Sequence, residues 1–272
     1  MTEPKANRIK HSIMVMSGKG GVGKTTVAVN LGLGLALYGK EVGVLDADIT
    51  GPNVPKMLNI EDKVMTGDED QTIHPVEIPV GADGAVRVVS MAFVIGKDSP
   101  VVWRGPLKMQ VLKQFIETVA WGDLDYMLID LPPGTSDEPL SIAQLLRPDG
   151  TIVVTTPQDL ALLDARKAID MSRSLVIPVL GIIENMSGFT CPKCGGAIDL
   201  FKVGGGMRAA AELGVPFLGR IEIDPAICET GDSGKPFILN VQSKNAEAFD
   251  GIVRKIMAHY EDERGEARSS AE

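Results

Sequence analysis

The run Gly18-Lys19-Gly20-Gly21-Val22-Gly23-Lys24-Thr25 has the spacing G-x-x-x-x-G-K-[ST], a pattern suited to holding a chain of phosphates. Glycine accepts the positive φ such a loop needs and has no side chain to intrude, so backbone N–H groups can close around an anion. A helix that starts directly after the loop aims about half a positive elementary charge at the same point. In this pattern Lys24 neutralises the β- and γ-phosphates and the Thr25 hydroxyl ligates Mg²⁺. The expected phosphate cradle is therefore Gly20, Gly21, Val22, Gly23, Lys24, Thr25 and Thr26.

Carboxylates and thiols supply the remaining chemistry. Asp130 follows the apolar run 126–129, which puts a carboxylate at the end of a buried strand, a Walker B arrangement that holds Mg²⁺ directly or through water. Asp46 and Asp48 close a second apolar run, and two residues apart in extended chain they point to one side. The turn Cys191-Pro192-Lys193-Cys194-Gly195-Gly196 can aim two thiolates at one metal, and its glycines let backbone amides approach the sulfurs. Two thiolates make half of a four-cysteine site. Cys228, in a helical segment after Pro225, has no partner motif and reads as a small core residue. A closed site then needs Cys191 and Cys194 from two chains related by a two-fold axis. Three readings of the pair stay open: a bridging iron–sulfur cluster, a bridging Zn²⁺, or a redox or functionless pair. Thioredoxin-like chemistry fits poorly, because there the motif opens a helix and here glycines follow.

To gather these groups the chain needs a scaffold, and its pattern describes one. Apolar runs at 12–16, 42–45, 86–93, 126–131, 151–155, 179–184 and 217–221 predict strands buried on both faces of a mostly parallel sheet. Helical patterns fall between them at 24–38, 106–120, 139–146, 161–175, 205–213 and 245–260. Such alternation predicts an α/β fold, a single doubly wound sheet with helices on both faces. Residues 1–7 read as a flexible start, 8–260 as one P-loop domain and 261–272 as a disordered acidic tail. Residues 61–80, polar and interrupted by Pro75 and Pro79, predict an excursion or short hairpin.

At 272 residues the chain can bury roughly 70–75% of its unfolded surface, so a core needs no disulfides. A net charge of -9 repels nucleic acid and anionic lipid on average, and 4% aromatics leave few rings for stacking bases. An odd count of three cysteines favours a reducing compartment. Without a leader-like start or an apolar run of about 20 residues, the expectation is a cytoplasmic protein with neither nucleic acid nor membrane as partner. No N-K-x-D guanine reader occurs, so ATP is preferred over GTP.

The string KGGVGKTT at 19–26 closely resembles the deviant Walker A motif of the MinD/ParA/nitrogenase-iron-protein class. Other strings narrow the resemblance to Mrp/ApbC/Nbp-type ATPases, which are iron–sulfur cluster carriers and assembly factors. They are Asp46-Ala47-Asp48-Ile49-Thr50-Gly51-Pro52, Trp103-Arg104-Gly105-Pro106, Asp130-Leu131-Pro132-Pro133-Gly134-Thr135, Glu184-Asn185-Met186-Ser187 and the cysteine pair. The resemblance implies that Lys19 reaches the nucleotide of a partner subunit and that Asp48 orients the attacking water. It implies that Asp46 supports the Mg²⁺ shell, that Gly134 offers an N–H to the γ-phosphate and that Asn185 contacts adenine; Asp224, on another loop, is expected to approach the base. It further implies a homodimer, slow ATP hydrolysis, and a [4Fe–4S] cluster held by Cys191 and Cys194 between subunits and passed to apo iron–sulfur proteins. No cysteine precedes Cys191 in this sequence, so the N-terminal cluster motif of some relatives is not expected here. The rivals are a zinc-bridged dimeric ATPase, an iron-protein reductase and a MinD/ParA-type positioning ATPase. The reductase would take its cluster cysteines singly. The positioning ATPase would need a membrane-seeking C-terminal helix or a basic face, whereas residues 245–260 lead into Glu261-Asp262-Glu263.

Overall fold

The structure, a computed structural model, describes residues 7–69, 72–94, 105–239 and 243–269. Trp103 and Arg104, most of the expected flexible start and the last three residues of the expected tail lie outside them. In chain order the first elements are β1 (Arg8–Met16), α1 (Lys24–Leu37), β2 (Glu41–Asp46) and α2 (Val54–Met57). Two short strands, β3 (Thr66–Gly67) and β4 (Ile73–His74), precede β5 (Val76–Val80) and β6 (Gly84–Ser90). Then come α3 (Gly105–Glu117), β7 (Asp123–Asp130), α4 (Asp137–Leu146), β8 (Gly150–Thr155), α5 (Asp159–Ser174) and β9 (Val179–Glu184). The chain closes with β10 (Phe189–Thr190), β11 (Ala197–Ile198), α6 (Gly205–Leu213), β12 (Phe217–Arg220), α7 (Pro225–Asp232) and α8 (Lys244–Ser269).

Eight strands form one sheet in the order β12-β9-β8-β1-β7-β2-β6-β5. Every pairing is parallel except β5 with β6 at the edge. This is the doubly wound architecture the alternation predicts. Side chains leave each strand alternately, so Ile13 and Val15 enter one core layer while Met14 and Met16 enter the other. The first layer is roofed by α1 and α8, through Val27, Leu31, Phe249, Ile252 and Val253. On the opposite face lie Leu112 and Phe115 of α3, Ile142 of α4, Ala165 and Ile169 of α5, and Ala209 of α6. Helix α1 is buried almost all round, and Gly34 is what lets α8 lie against it: a Cβ there would sit 2.6 Å from Val253 Cγ2.

Several expected boundaries move, each for a local reason. The run 86–93 is not strand throughout: β6 stops at Ser90, whose hydroxyl accepts from Ala92 N and turns 91–93 into a 3₁₀ helix. Within 61–80 the β3/β4 hairpin is present, but Val76–Val80 joins the main sheet, Pro79 being tolerated because the strand is an edge. The last helix runs past Tyr260 to Ser269, through residues expected to be disordered; Glu and Arg supply five of those nine residues and favour helix. Among the described residues no helix is long and apolar enough to cross a membrane.

Candidate functional site

The phosphate loop leaves the carboxyl end of the central strand β1 and feeds α1. Gly21 and Gly23 have φ of 80° and 83°, left-handed values that other residues adopt only at a cost. Gly23 is the N-cap of α1 with no side-chain cap, so the first-turn N–H groups remain available to an anion. Neighbouring chain fits tightly here: a Cβ on Gly18 would lie 2.2 Å from the backbone of Asp164 in α5, and one on Gly23 would lie 2.2 Å from Asn185 Nδ2.

Parallel register brings the acids to this loop. Asp46 of β2 stands beside Asp130 of β7 on one side and Ser90 of β6 on the other, all at strand ends. Lys24 and Thr25 close the group: Lys24 Nζ donates to Asp130 Oδ1 at 2.5 Å and Thr25 Oγ1 donates to Asp130 Oδ2 at 2.7 Å. Asp46 is fully buried, its Oδ2 accepting from Ser90 Oγ at 2.9 Å and from Val54 N at 3.3 Å. Among the described residues its Oδ1 has no partner. Burial first, and then the neighbouring Asp130, push the Asp46 carboxyl up to about 8, against the opposing pull of Ser90, Val54 and Lys24.

Since β2 ends at Asp46, Asp48 falls in the turn that follows rather than on the strand, where its Oδ1 accepts from Gly51 N at 3.2 Å. Partial burial raises its pKa while Lys24 lowers it, which ties Asp48 to the same cluster. Thr50, in that turn, accepts from Lys108 Nζ of α3 at 2.8 Å, and Lys108 also bonds Glu138 of α4 at 3.0 Å. This bridge between the Asp48 turn and the helix after Gly134 was not legible in sequence, because its three members are scattered. Ser90 was equally hidden, and only its register opposite Asp46 reveals it. Gly134 has φ 95° and donates its N–H to Ser17 O at 2.9 Å, so the expected phosphate donor is engaged by the residue that precedes the loop. Lys19 is half-buried, and its carbonyl accepts from Ser17 Oγ at 3.0 Å.

Beside the loop lies a cavity of about 460 Å³ lined by Thr25, Thr26, Asn185, Asp224 and Ile227, among others. Asn185 reaches from the end of β9 to the loop, donating from Nδ2 to Val22 O at 2.8 Å. Asp224 caps α7 by accepting from Ala226 N at 2.9 Å, and it accepts from Asn245 Nδ2 at 3.3 Å. Cys228 is not the core residue expected: it is exposed on α7, a helix with no buried residue, and lines this cavity.

Cys191 and Cys194 lie elsewhere, at the tip between β10 and β11. Cys191 N donates to Gly196 O at 2.9 Å and Gly195 N to Cys191 O at 2.8 Å, closing a tight turn with both sulfurs on one short loop. Backbone N–H groups of Cys194 and Lys193, with the Cys194 side chain, draw the Cys191 thiol below its ordinary pKa. Cys194 is exposed, Cys191 partly so, and among the described residues no three His, Cys, Asp or Glu side chains converge as a metal site.

Comparison with known proteins adds to this geometry. A family model described as ParA, NUBPL iron-transfer P-loop NTPase, matches residues 8–257. The iron-sulfur cluster carrier protein of Methanocaldococcus jannaschii is 50% identical over 258 residues, covering 94% of this chain and 87% of that one. The cytosolic Fe-S cluster assembly factor CFD1 of Saccharomyces cerevisiae is 45% identical, covering 91% and 87%. Among solved structures, a nucleotide-binding protein from Archaeoglobus fulgidus in complex with ADP superposes with a TM-score of 0.73 at 39% identity, covering 84% of this chain and 87% of that chain.

Proposed function

The chain belongs to the NUBPL iron-transfer family of ParA-type P-loop NTPases, and from that premise we propose that it is an ATP-hydrolysing carrier of iron–sulfur clusters that works as a homodimer. One observation supports this reading above others. A phosphate loop with its acids is joined, in one chain, to an exposed hairpin that offers two thiolates and, among the described residues, no third ligand. A four-thiolate site needs a second copy, and a two-fold axis supplies it. The cargo of such a site is a [4Fe–4S] cluster, delivered to apo-proteins.

ATP lays its phosphates across residues 20–26, and Lys24 exchanges part of its bond with Asp130 for the β- and γ-phosphates. The Thr25 hydroxyl, the Asp130 carboxylate and the orphaned Asp46 Oδ1 form an all-oxygen donor set that suits Mg²⁺, which when bound neutralises charge on the phosphates. Asp48 orients the water whose oxygen attacks the γ-phosphorus, ADP leaving. Gly134 turns its N–H from Ser17 O to the γ-phosphate, and Lys19 engages the partner's nucleotide. Asn185 and Asp224 face the base in the adjoining cavity. The rival role on membranes loses support from α8, whose apolar residues Phe249, Ile252, Val253 and Ile256 are packed into the core.

Anaerobic reconstitution with iron and sulfide tests the reading. Wild type should take up about two irons per chain and run as a dimer, with Cys191→Ser and Cys194→Ser losing both and Cys228→Ser losing neither. Equal iron uptake in the Cys191 and Cys194 variants refutes it, and uptake of zinc alone replaces it with a zinc-bridged ATPase.

A further inference from the structure

The motif Glu184-Asn185-Met186-Ser187 holds an acid that the nucleotide site does not use. Glu184 ends the apolar strand β9 with 0% exposure. Its carboxylate accepts three hydrogen bonds, from Ser187 Oγ, from Gly204 N at 2.9 Å and from Gly206 N. Two of these donors, Ser187 and Gly204, bound residues 187–204, the segment that contains β10, β11 and both hairpin cysteines. The third donor, Gly206, lies in the first turn of α6, where the helix N-terminus favours negative charge. A Cβ on Gly206 would come within 3.0 Å of Glu184 Cβ and Oε2, so glycine there permits the approach.

The next residue points to the other site. Asn185 is held on the phosphate loop by its bond to Val22 O and on β8 by its N–H to Thr155 O at 2.8 Å. Met186 then takes a left-handed φ of 55°, and Ser187 N donates to Ile221 O at 2.9 Å. One peptide bond thus joins the side chain touching the loop to the side chain that clasps both ends of the cysteine segment.

We propose that Glu184 is a positioning residue that couples nucleotide occupancy to the placement of the cysteine hairpin. The proposal rests on the reading above, in that Asn185 must reorient to meet a base. That reorientation breaks the Nδ2 bond to Val22 O and so releases the strand end that Asn185 shares with Glu184. A buried acceptor left without its donors costs about 1–3 kcal/mol, so the three bonds travel with Glu184 rather than break. Both ends of residues 187–204 therefore shift together.

Thiol alkylation reads this without any cluster. In a metal-free Cys228→Ser background, the labelling rates of Cys191 and Cys194 are followed by peptide mass spectrometry, with and without Mg²⁺ and a non-hydrolysable ATP analogue. The Cys228 change removes a third thiol that lines the nucleotide cavity. The parent protein should show a rate ratio of about fivefold or more between the two states, the size of a modest coupling energy. Glu184→Gln presents an amide where two backbone N–H groups converge, and its ratio should fall to near one while analogue binding persists. A hairpin merely loosened would label faster in both states and keep the ratio. Ser187→Ala, which removes one bond of three, should give an intermediate ratio and decides the matter if Glu184→Gln does not fold. A parental ratio of one, or unchanged ratios in the variants, overturns the coupling. Failure of iron uptake would instead sink the carrier reading and leave this measurement standing.

Discussion

Replacing Asp46 by Asn should make the nucleotide-free protein more stable at alkaline pH. Buried beside Asp130, Asp46 has its pKa raised from 3.8 to about 8. Between those values the folded state binds a proton that the unfolded state has released, so stability falls as pH rises through the window. The contribution is complete below about pH 4 and lost by about pH 8. Four units at about 1.4 kcal/mol each would be an upper bound, and the effective dielectric of real sites reduces the expected effect to about 1–3 kcal/mol. Asn keeps an acceptor for Ser90 and Val54 and removes the negative charge that burial and Asp130 disfavour. At about 2–4 °C per kcal/mol for a domain of this size, the variant should melt several degrees above wild type at pH 8.5 and near it at pH 4.5. Thermal denaturation across pH 4.5–8.5, without nucleotide or divalent metal, measures the difference. Parallel pH profiles for the two proteins, or a variant that melts lower at pH 8.5, would refute the argument that this carboxyl is strained by its surroundings. Greater stability should come with weaker Mg-ATP binding, because Asp46 Oδ1 belongs to the proposed Mg²⁺ set.

Other substitutions probe the loop around it. Lys24→Ala leaves Asp130 buried without its cation and should cost about 3–5 kcal/mol of stability, read by urea denaturation, together with loss of nucleotide binding; retained ATP affinity would contradict the phosphate role. Lys19→Ala should slow hydrolysis by about 10³-fold or more while leaving single-chain nucleotide affinity within a few-fold, as checked by single-turnover assay and a fluorescent analogue. Normal turnover would remove it from the partner's site. Gly18→Ala drives a methyl into the backbone of Asp164, which no rotamer can relieve, so nucleotide affinity should drop by about tenfold or more in titration calorimetry.

Much of the site was legible because it depends on local rules. Glycine spacing, the strand before it and the helix after it place residues 18–26 together whatever the rest of the chain does, and the apolar run 179–184 matches β9 at both ends. The C-x-x-C turn is likewise a property of six consecutive residues. Where the reading slipped, long-range packing had decided. Val76–Val80 looks like a polar excursion until β6 offers it an edge, and Cys228 looks like a core residue until α7 is seen to lie over a cavity with nothing buried.

Taken by itself, the sequence determined the chemistry on offer: a phosphate cradle, three carboxylates and two paired thiols, together with the strand–helix alternation that carries them. Only the tertiary structure decided how those groups act on one another. Parallel register set Asp46 between Asp130 and Ser90, so that burial and a like charge hold its proton. Packing of α6 on β9 brought Gly204 and Gly206 to Glu184, residues 20 or more apart in the chain. Spacing along a chain fixes what a short segment can bind, but the energy of a buried charge depends on neighbours that only folding supplies.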